Sequence, residues 1–219
     1  MSSRAAVSGT GVGMSKRAKR PPVEWGVSTR CRHGEATNGD LSVVILLPDG
    51  ALVAAIDGLG HGLEAARAAR TVGDLLRDTP SHDLVSLVER CHTALKGTRG
   101  AVISLAFLSS SRSKMTWLGV GNVEGRLMSG VPSVTRTKGS LAVASGLPGH
   151  ELPDLSTATL DLRPGDILLL ATDGIAPAFA ESLDVSGSPQ AITDRILHDH
   201  SKTTDDALVV AVRYLGSRP

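Results

Sequence analysis

Aromatic side chains are almost missing from this sequence. There are two Trp, two Phe and one Tyr in 219 residues. A core must therefore be built from Ala, Val, Leu and Ile. Base-stacking platforms need aromatics beside basic residues, so a nucleic-acid function is disfavoured. Cysteine is equally scarce. Cys31 and Cys91 form no CxxC pair, which argues against a zinc or redox motif and fits two free thiols in a reducing compartment. No apolar stretch reaches the length of a membrane span, and the N-terminus carries no apolar signal segment. The cytoplasm is the expected location, with no membrane partner. Excess charge is also absent. The formal net charge is +1, so no strong field draws in a polyanion.

What remains is an ordinary globular composition, 41% apolar and 21% charged, long enough for a substantial core. Residues 1–22 read as a flexible basic tail, with Arg4, Lys16, Arg17, Lys19 and Arg20 and no acidic residue up to position 20. The "GTGVG" inside it has neither a strand before it nor a helix after it, so it is no phosphate loop. Residues 23–219 read as one domain.

Apolar runs mark strands at "LSVVILL", "ALVAAI", "AVISLAFL", "MTWLGV", "VEGRLM", "ATLDL", "DILLLA" and "ALVVAVRYL". Helical periodicity appears in three places. "GLEAARAARTVGDLLRD" sets Leu63, Ala66, Ala69, Leu75 and Leu76 near one face. "SHDLVSLVERCHTAL" opens on Ser81 as candidate N-cap and continues through Leu84, Leu87, Val88, Cys91 and Leu95. "SPQAITDRILHDH" is the third. Two strands, two helices, a run of strands, a helix and a last strand are not the alternation of a doubly wound sheet. The order predicts an α+β fold with sheets packed on each other and helices outside.

Aspartates recur at the strand ends. "PDG" at 48–50 has turn chemistry and closes a hairpin. Asp40 lies nine residues before Asp49 and Asp57 eight after it, which brings Asp40 and Asp57 side by side at the open end. "GDILLLATDGI" ends its strand at Asp173, and "TTDDALVVAVRYL" begins its strand after Asp205 and Asp206. If those two strands run antiparallel, all these carboxylates reach one edge. Like charges at one place repel unless a cation sits between them. Carboxylates without a Cys or His pair are hard oxygen ligands that suit Mg²⁺ or Mn²⁺. The competing reading is a set of unrelated turn and capping aspartates. Gly58, directly after Asp57, lets the backbone approach a cation closely. "GLGHGL" has Leu63 where a dinucleotide fingerprint needs its third Gly.

The combination "GE…NGD", "DGLGHG", "GD…LLLATDGI" and a late "DDA" resembles the metal-dependent type 2C protein phosphatases, and within them the bacterial SpoIIE-like branch. The resemblance runs from about Trp25 to Leu215. It implies a four-layer αββα fold, a central antiparallel β-sandwich flanked by helices. It also implies two Mn²⁺ or Mg²⁺ ions that activate water for attack on a phosphoserine or phosphothreonine. On family grounds Asp57 bridges both ions and Gly58 offers its carbonyl. Asp173 and Asp205 or Asp206 hold the second ion, and Asp40 acts directly or through water. Asp57 and Asp173 are the catalytic pair. Leu208 stands where the family's last motif has Ser or Thr, which leaves Asp205 against Asp206 open. Glu35 matches the "GE" position. Arg30 and Arg32 are candidates to orient the phosphate, and His61 either serves the reaction or caps the helix after it. The short, sensorless length fits members that reset the stressosome, so the implied partners are phosphorylated STAS-domain proteins, either stressosome scaffold or anti-sigma-factor antagonist. The alternative is a silent phosphatase-like module that binds a phosphoprotein or anti-sigma factor without turnover.

Overall fold

The computed structural model describes residues 21–130, 137–181 and 183–216. The basic segment at 1–20 lies outside them. Eleven strands and three α-helices follow in order among the described residues. The hairpin read from "PDG" is present as β2 (Asp40–Leu47) and β3 (Gly50–Gly58). Helices α1 (Gly62–Asp78) and α2 (Leu84–Ala94) come next. β4 (Ala101–Ser109), β5 (Lys114–Val120) and β6 (Glu124–Met128) continue the run. The short β7 (Thr137–Ser140), β8 (Val143–Ala144) and β9 (Ala158–Asp161) lead to β10 (Ile167–Ala171). Helix α3 (Pro189–His200) and β11 (Ala207–Tyr214) complete the fold.

The strands make two sheets. One has the order β1-β11-β10-β6-β7, where β1 is Val23–Arg30. The other has the order β2-β3-β4-β5-β8, with β9 beside β5. Pairing is antiparallel except between β5 and β8. The inner faces meet through Ala51, Val53 and Ala55 on one sheet and Leu168, Val210 and Val212 on the other. Small residues on β3 let the sheets approach, which is how a core with only four buried aromatics still closes. The outer face of the second sheet is covered by α1 and α2, through Ala68, Val72, Leu87 and Cys91. The outer face of the first is covered by α3, through Ile192 and Ile196. The result is helix, sheet, sheet, helix, the predicted α+β sandwich. No helix among the described residues is long and apolar enough to cross a membrane.

Three local expectations change. Leu63 does not join the buried face of α1 but is 52% exposed. That face is instead Ala65, Ala66, Ala68, Ala69, Val72, Gly73 and Leu76, a stripe of small residues against the sheet. Ser81 does not cap α2. Asp83 does, accepting from the Ser86 N–H, while the Ser81 hydroxyl accepts from the Asp83 N–H. β1 is a strand that hydropathy alone does not announce. Its Gly26 leaves no room for a side chain, since a Cβ there would lie 2.3 Å from the Gln190 nitrogen of α3. The Gln190 side chain pairs with the Val27 N–H and C=O, covering part of an exposed sheet edge.

Candidate metal centre

Antiparallel register places Asp40 directly opposite Asp57. The same register logic in the other sheet pairs Ala171 with Val209, so Asp173 and Asp205, just beyond those strands, come to one end. The two pairs meet because the sheets stack. Asp57, Asp173 and Asp205 line one cleft of about 250 Å³, together with Arg32, His61 and Asn122.

Thr172 joins the two halves. Its hydroxyl donates to Asp40 Oδ2 at 2.7 Å and accepts from the Leu208 N–H at 2.9 Å. Asp40, on one sheet, is thereby tied to β10 and β11 on the other. Sequence reasoning passed over Thr172; the only signal was its place between an apolar strand and Asp173.

The two neighbouring aspartates have different surroundings. Asp206 is buried, and its carboxylate accepts from the Arg32 N–H and the Gly39 N–H, both at 2.8 Å. Those bonds clamp both ends of the loop between β1 and β2 to the residue that precedes β11. Asp205 lines the cleft. Asp173 accepts from Asn122 Nδ2 at 2.8 Å on one oxygen, and its backbone carbonyl accepts from Lys202 Nζ at 2.6 Å. Asn122 is a second residue that sequence reasoning missed. It follows Gly121, whose φ of +111° and contact with Val102 exclude a side chain and set the turn.

The charges interact strongly. Burial, with the neighbouring Asp40, Asp173 and Asp205 charges, pushes the Asp57 carboxyl up to about 9. Burial pushes Asp40 up to about 7 against the Thr172 hydrogen bond, with Asp206, Asp173 and Asp205 adding to the rise. Asp173 is raised too, by burial and by Asp205, while Lys202 and Asn122 oppose the shift. Among the described residues no three acidic, His or Cys side chains are drawn together closely enough to hold a metal ion as they stand. Asp57 is coupled to Asp40 by a side-chain hydrogen bond as well as by charge, and to Asp173 and Asp205 by charge. Clustered hard oxygen donors whose mutual repulsion raises their proton affinity are what divalent Mg²⁺ or Mn²⁺ relieves, so the donor set fits such ions.

Gly58 acquires a packing reason besides the one read from sequence. A Cβ on it would stand 2.1 Å from the Ala65 carbonyl oxygen, so α1 sits directly on the end of β3. His61 occupies the N-cap position of α1 but makes no side-chain capping bond. Its Nδ1 instead bonds Glu35 Oε1 at 2.7 Å. Arg30 donates to the Lys202 carbonyl. Arg32 lines the cleft, and its guanidinium makes no hydrogen bond or ion pair among the described residues.

Comparison with known proteins agrees with this geometry. The Stage II sporulation protein E (SpoIIE) family matches residues 48–215. Phosphoserine phosphatase RsbX of Bacillus subtilis (strain 168) is 29% identical over 177 residues, covering 80% of this chain and 86% of that protein. The structure of RsbX in complex with magnesium superposes with a TM-score of 0.77 at 25% identity, covering 87% of this chain and 94% of that one. A solved chain described with the bacterial stressosome, a modular system adapted to control secondary messenger signalling, matches with a TM-score of 0.78 at 29% identity, covering 87% and 99%. The chain belongs to the SpoIIE family and is a serine/threonine phosphatase with the type 2C fold.

Proposed function

We propose that this protein removes phosphate from phosphoserine or phosphothreonine on regulatory proteins, using two divalent cations, Mn²⁺ or Mg²⁺, held at the cleft. One observation carries the reading: aspartates from the ends of both sheets gather at one cleft and raise one another's proton affinity. Asp57, coupled to Asp40, Asp173 and Asp205 alike, would be the ligand common to both ions, with Gly58 offering its carbonyl. Asp173 and Asp205 would hold the second ion. Asp40 is fixed by Thr172 and serves directly or through water. Asp206 is assigned to support, because its carboxylate already takes two backbone donors. When bound, the ions lower the pKa of water and neutralise the phosphoryl oxygens.

The remaining residues position the substrate. The unpartnered guanidinium of Arg32 is suited to two parallel hydrogen bonds to phosphate oxygens. Arg30 is already engaged with the Lys202 carbonyl. The bond from His61 to Glu35 orients the ring and leaves Nε2 as the open nitrogen. That nitrogen is assigned to hydrogen-bond the substrate phosphate or the departing serine or threonine oxygen. The silent-module alternative is not favoured, because none of the acidic groups has been lost.

The proposed substrates are phosphorylated STAS-domain proteins, of the stressosome scaffold or the anti-sigma-factor antagonist class. The similarity to RsbX and to a stressosome-associated chain supports this choice. We place the reaction in the cytoplasm, in keeping with two cysteines that form no disulfide, and take residues 23–219 as one phosphatase domain.

The test is hydrolysis of a phosphoserine STAS-domain protein with and without Mn²⁺, for wild type and Asp57→Asn. Phosphate release that needs the metal and falls at least a hundredfold in the variant is expected. Equal release by both proteins, or none by a folded wild type with Mn²⁺, would reject the proposal.

A further inference from the structure

The rim of the cleft carries side chains that neither the core nor the chemistry uses. Leu59 lines the cleft and is 49% exposed, and Leu63, four residues on, is 52% exposed. Only five large apolar side chains among the described residues are so exposed; of these, Leu59 lines the cleft, and Leu63 stands two residues after His61, which lines it too. Scattered exposed leucines need no explanation, but a pair beside a reaction cleft is a contact surface in search of a partner. Their exposure is not an error of helix phase. The inner face of α1 is complete without Leu63, from Ala65 through Leu76.

A cation stands at the same rim. Arg99 lies in the connection between α2 and β4, and its Nη1 is 3.1 Å from where a Cβ on Gly60 would be. Gly60 itself lines the cleft, with a φ of +89°. The Leu59 N–H donates to the Gly100 carbonyl at 3.1 Å, which ties the two loops together and holds Arg99 beside Leu59 and Gly60. The Arg99 carbonyl is bonded to His150. Its guanidinium is exposed and makes no hydrogen bond or ion pair among the described residues. Arg99 is not among the residues lining the cleft, so phosphate held inside falls to Arg32.

We infer that Leu59, Leu63 and Arg99 form the surface that reads the substrate chain around the phosphorylated residue. It fits a segment with an apolar side chain on one flank and a carboxylate on the other. The inference rests on the cleft being the phosphatase site. A small phosphate ester needs only the cleft. A protein substrate must lay its backbone across this rim, where an apolar flank covers the leucines and a carboxylate pairs bidentately with the free guanidinium.

Phosphoserine peptides that differ only in their flanks test this with the full-length enzyme and Mn²⁺. One carries Asp and Leu, one Lys and Leu, one Asp and Ser. Wild type is expected to favour the Asp/Leu peptide over the Lys/Leu peptide by about tenfold in kcat/KM, mainly through KM, the ratio of one charge-assisted contact. Arg99→Glu is expected to reverse that order, and Leu59→Ser to abolish the preference for Leu over Ser. Hydrolysis of p-nitrophenyl phosphate, which has no flanks, is the internal reference for Arg99→Glu. Anisotropy of the labelled peptides reads the same preferences without turnover. An Arg99→Glu variant that keeps the wild-type order, or that weakens all peptides and the small ester alike, overturns the inference. Failure of the phosphatase reading looks different: no turnover of any ester by wild type, whatever the flanks.

Discussion

Asp57 shows how one residue trades stability for chemistry. Held beside Asp40 and close to Asp173 and Asp205, its carboxyl is pushed up to about 9, first by burial and then by those charges. An ordinary Asp titrates near 4. Between about pH 4 and about pH 9 the folded chain holds a proton there that the unfolded chain has released. Stability therefore falls as pH rises through that window, and it is fully retained only below it. Asp40, raised to about 7, adds to the lower part of the same slope. In EDTA the urea midpoint should fall steadily from pH 5 to pH 8. Asp57→Asn should flatten that slope and raise the midpoint at pH 8, although the substitution removes the proposed bridging ligand. A wild-type midpoint that is level or rising across the range would show that the carboxylates do not repel as described.

At the scale of elements, the site depends on how α1 meets β3. The helix is a stripe of alanines with Gly73, so it lies flat on the sheet. Its first turn reaches Gly58, where any side chain would collide with the Ala65 carbonyl. Gly58→Ala should push α1 off the strand end, lowering stability by about 1–3 kcal/mol as overpacking does. The shift should also weaken Mn²⁺ binding in calorimetry, because Asp57 is the preceding residue. A variant with unchanged unfolding and unchanged affinity would mean that the contact is slack. The cap of α2 carries the converse lesson. Ser81 and Asp83 are both good capping types, and sequence alone does not rank them. Leu84 is buried in the core and opens the helix, which leaves Asp83 as the residue whose carboxylate meets the Ser86 N–H.

Across the whole molecule, the cleft is a property of two sheets at once. Asp40 and Asp57 belong to one, Asp173 and Asp205 to the other, and Thr172 stitches them. A cation bound there links the sheets. At a free concentration of 100 times its dissociation constant, Mn²⁺ should stabilise the fold by about 2.7 kcal/mol. Differential scanning calorimetry would read this as a rise in Tm that Asp173→Asn abolishes. Equal Tm values with and without Mn²⁺ would exclude a site at the sheet junction.

Much of this was open to reading along the chain. Apolar runs ending in Asp-Gly, the turn at Pro48–Gly50 and the helical spacing of "LEAARAARTVGDLL" are local patterns, and local patterns specify hairpins and helices. Counting from a turn sufficed to set Asp40 against Asp57, because antiparallel register is arithmetic. Distances between sheets have no such arithmetic. That Thr172 reaches Asp40, that Asp206 turns inward to two backbone donors while Asp205 faces the cleft, and that Arg99 comes to rest beside Leu59 are all contacts between segments far apart in sequence. They depend on how closely the layers pack and on which backbone donors lack a partner. Composition and spacing along the chain carry neither quantity; only the closed sandwich does.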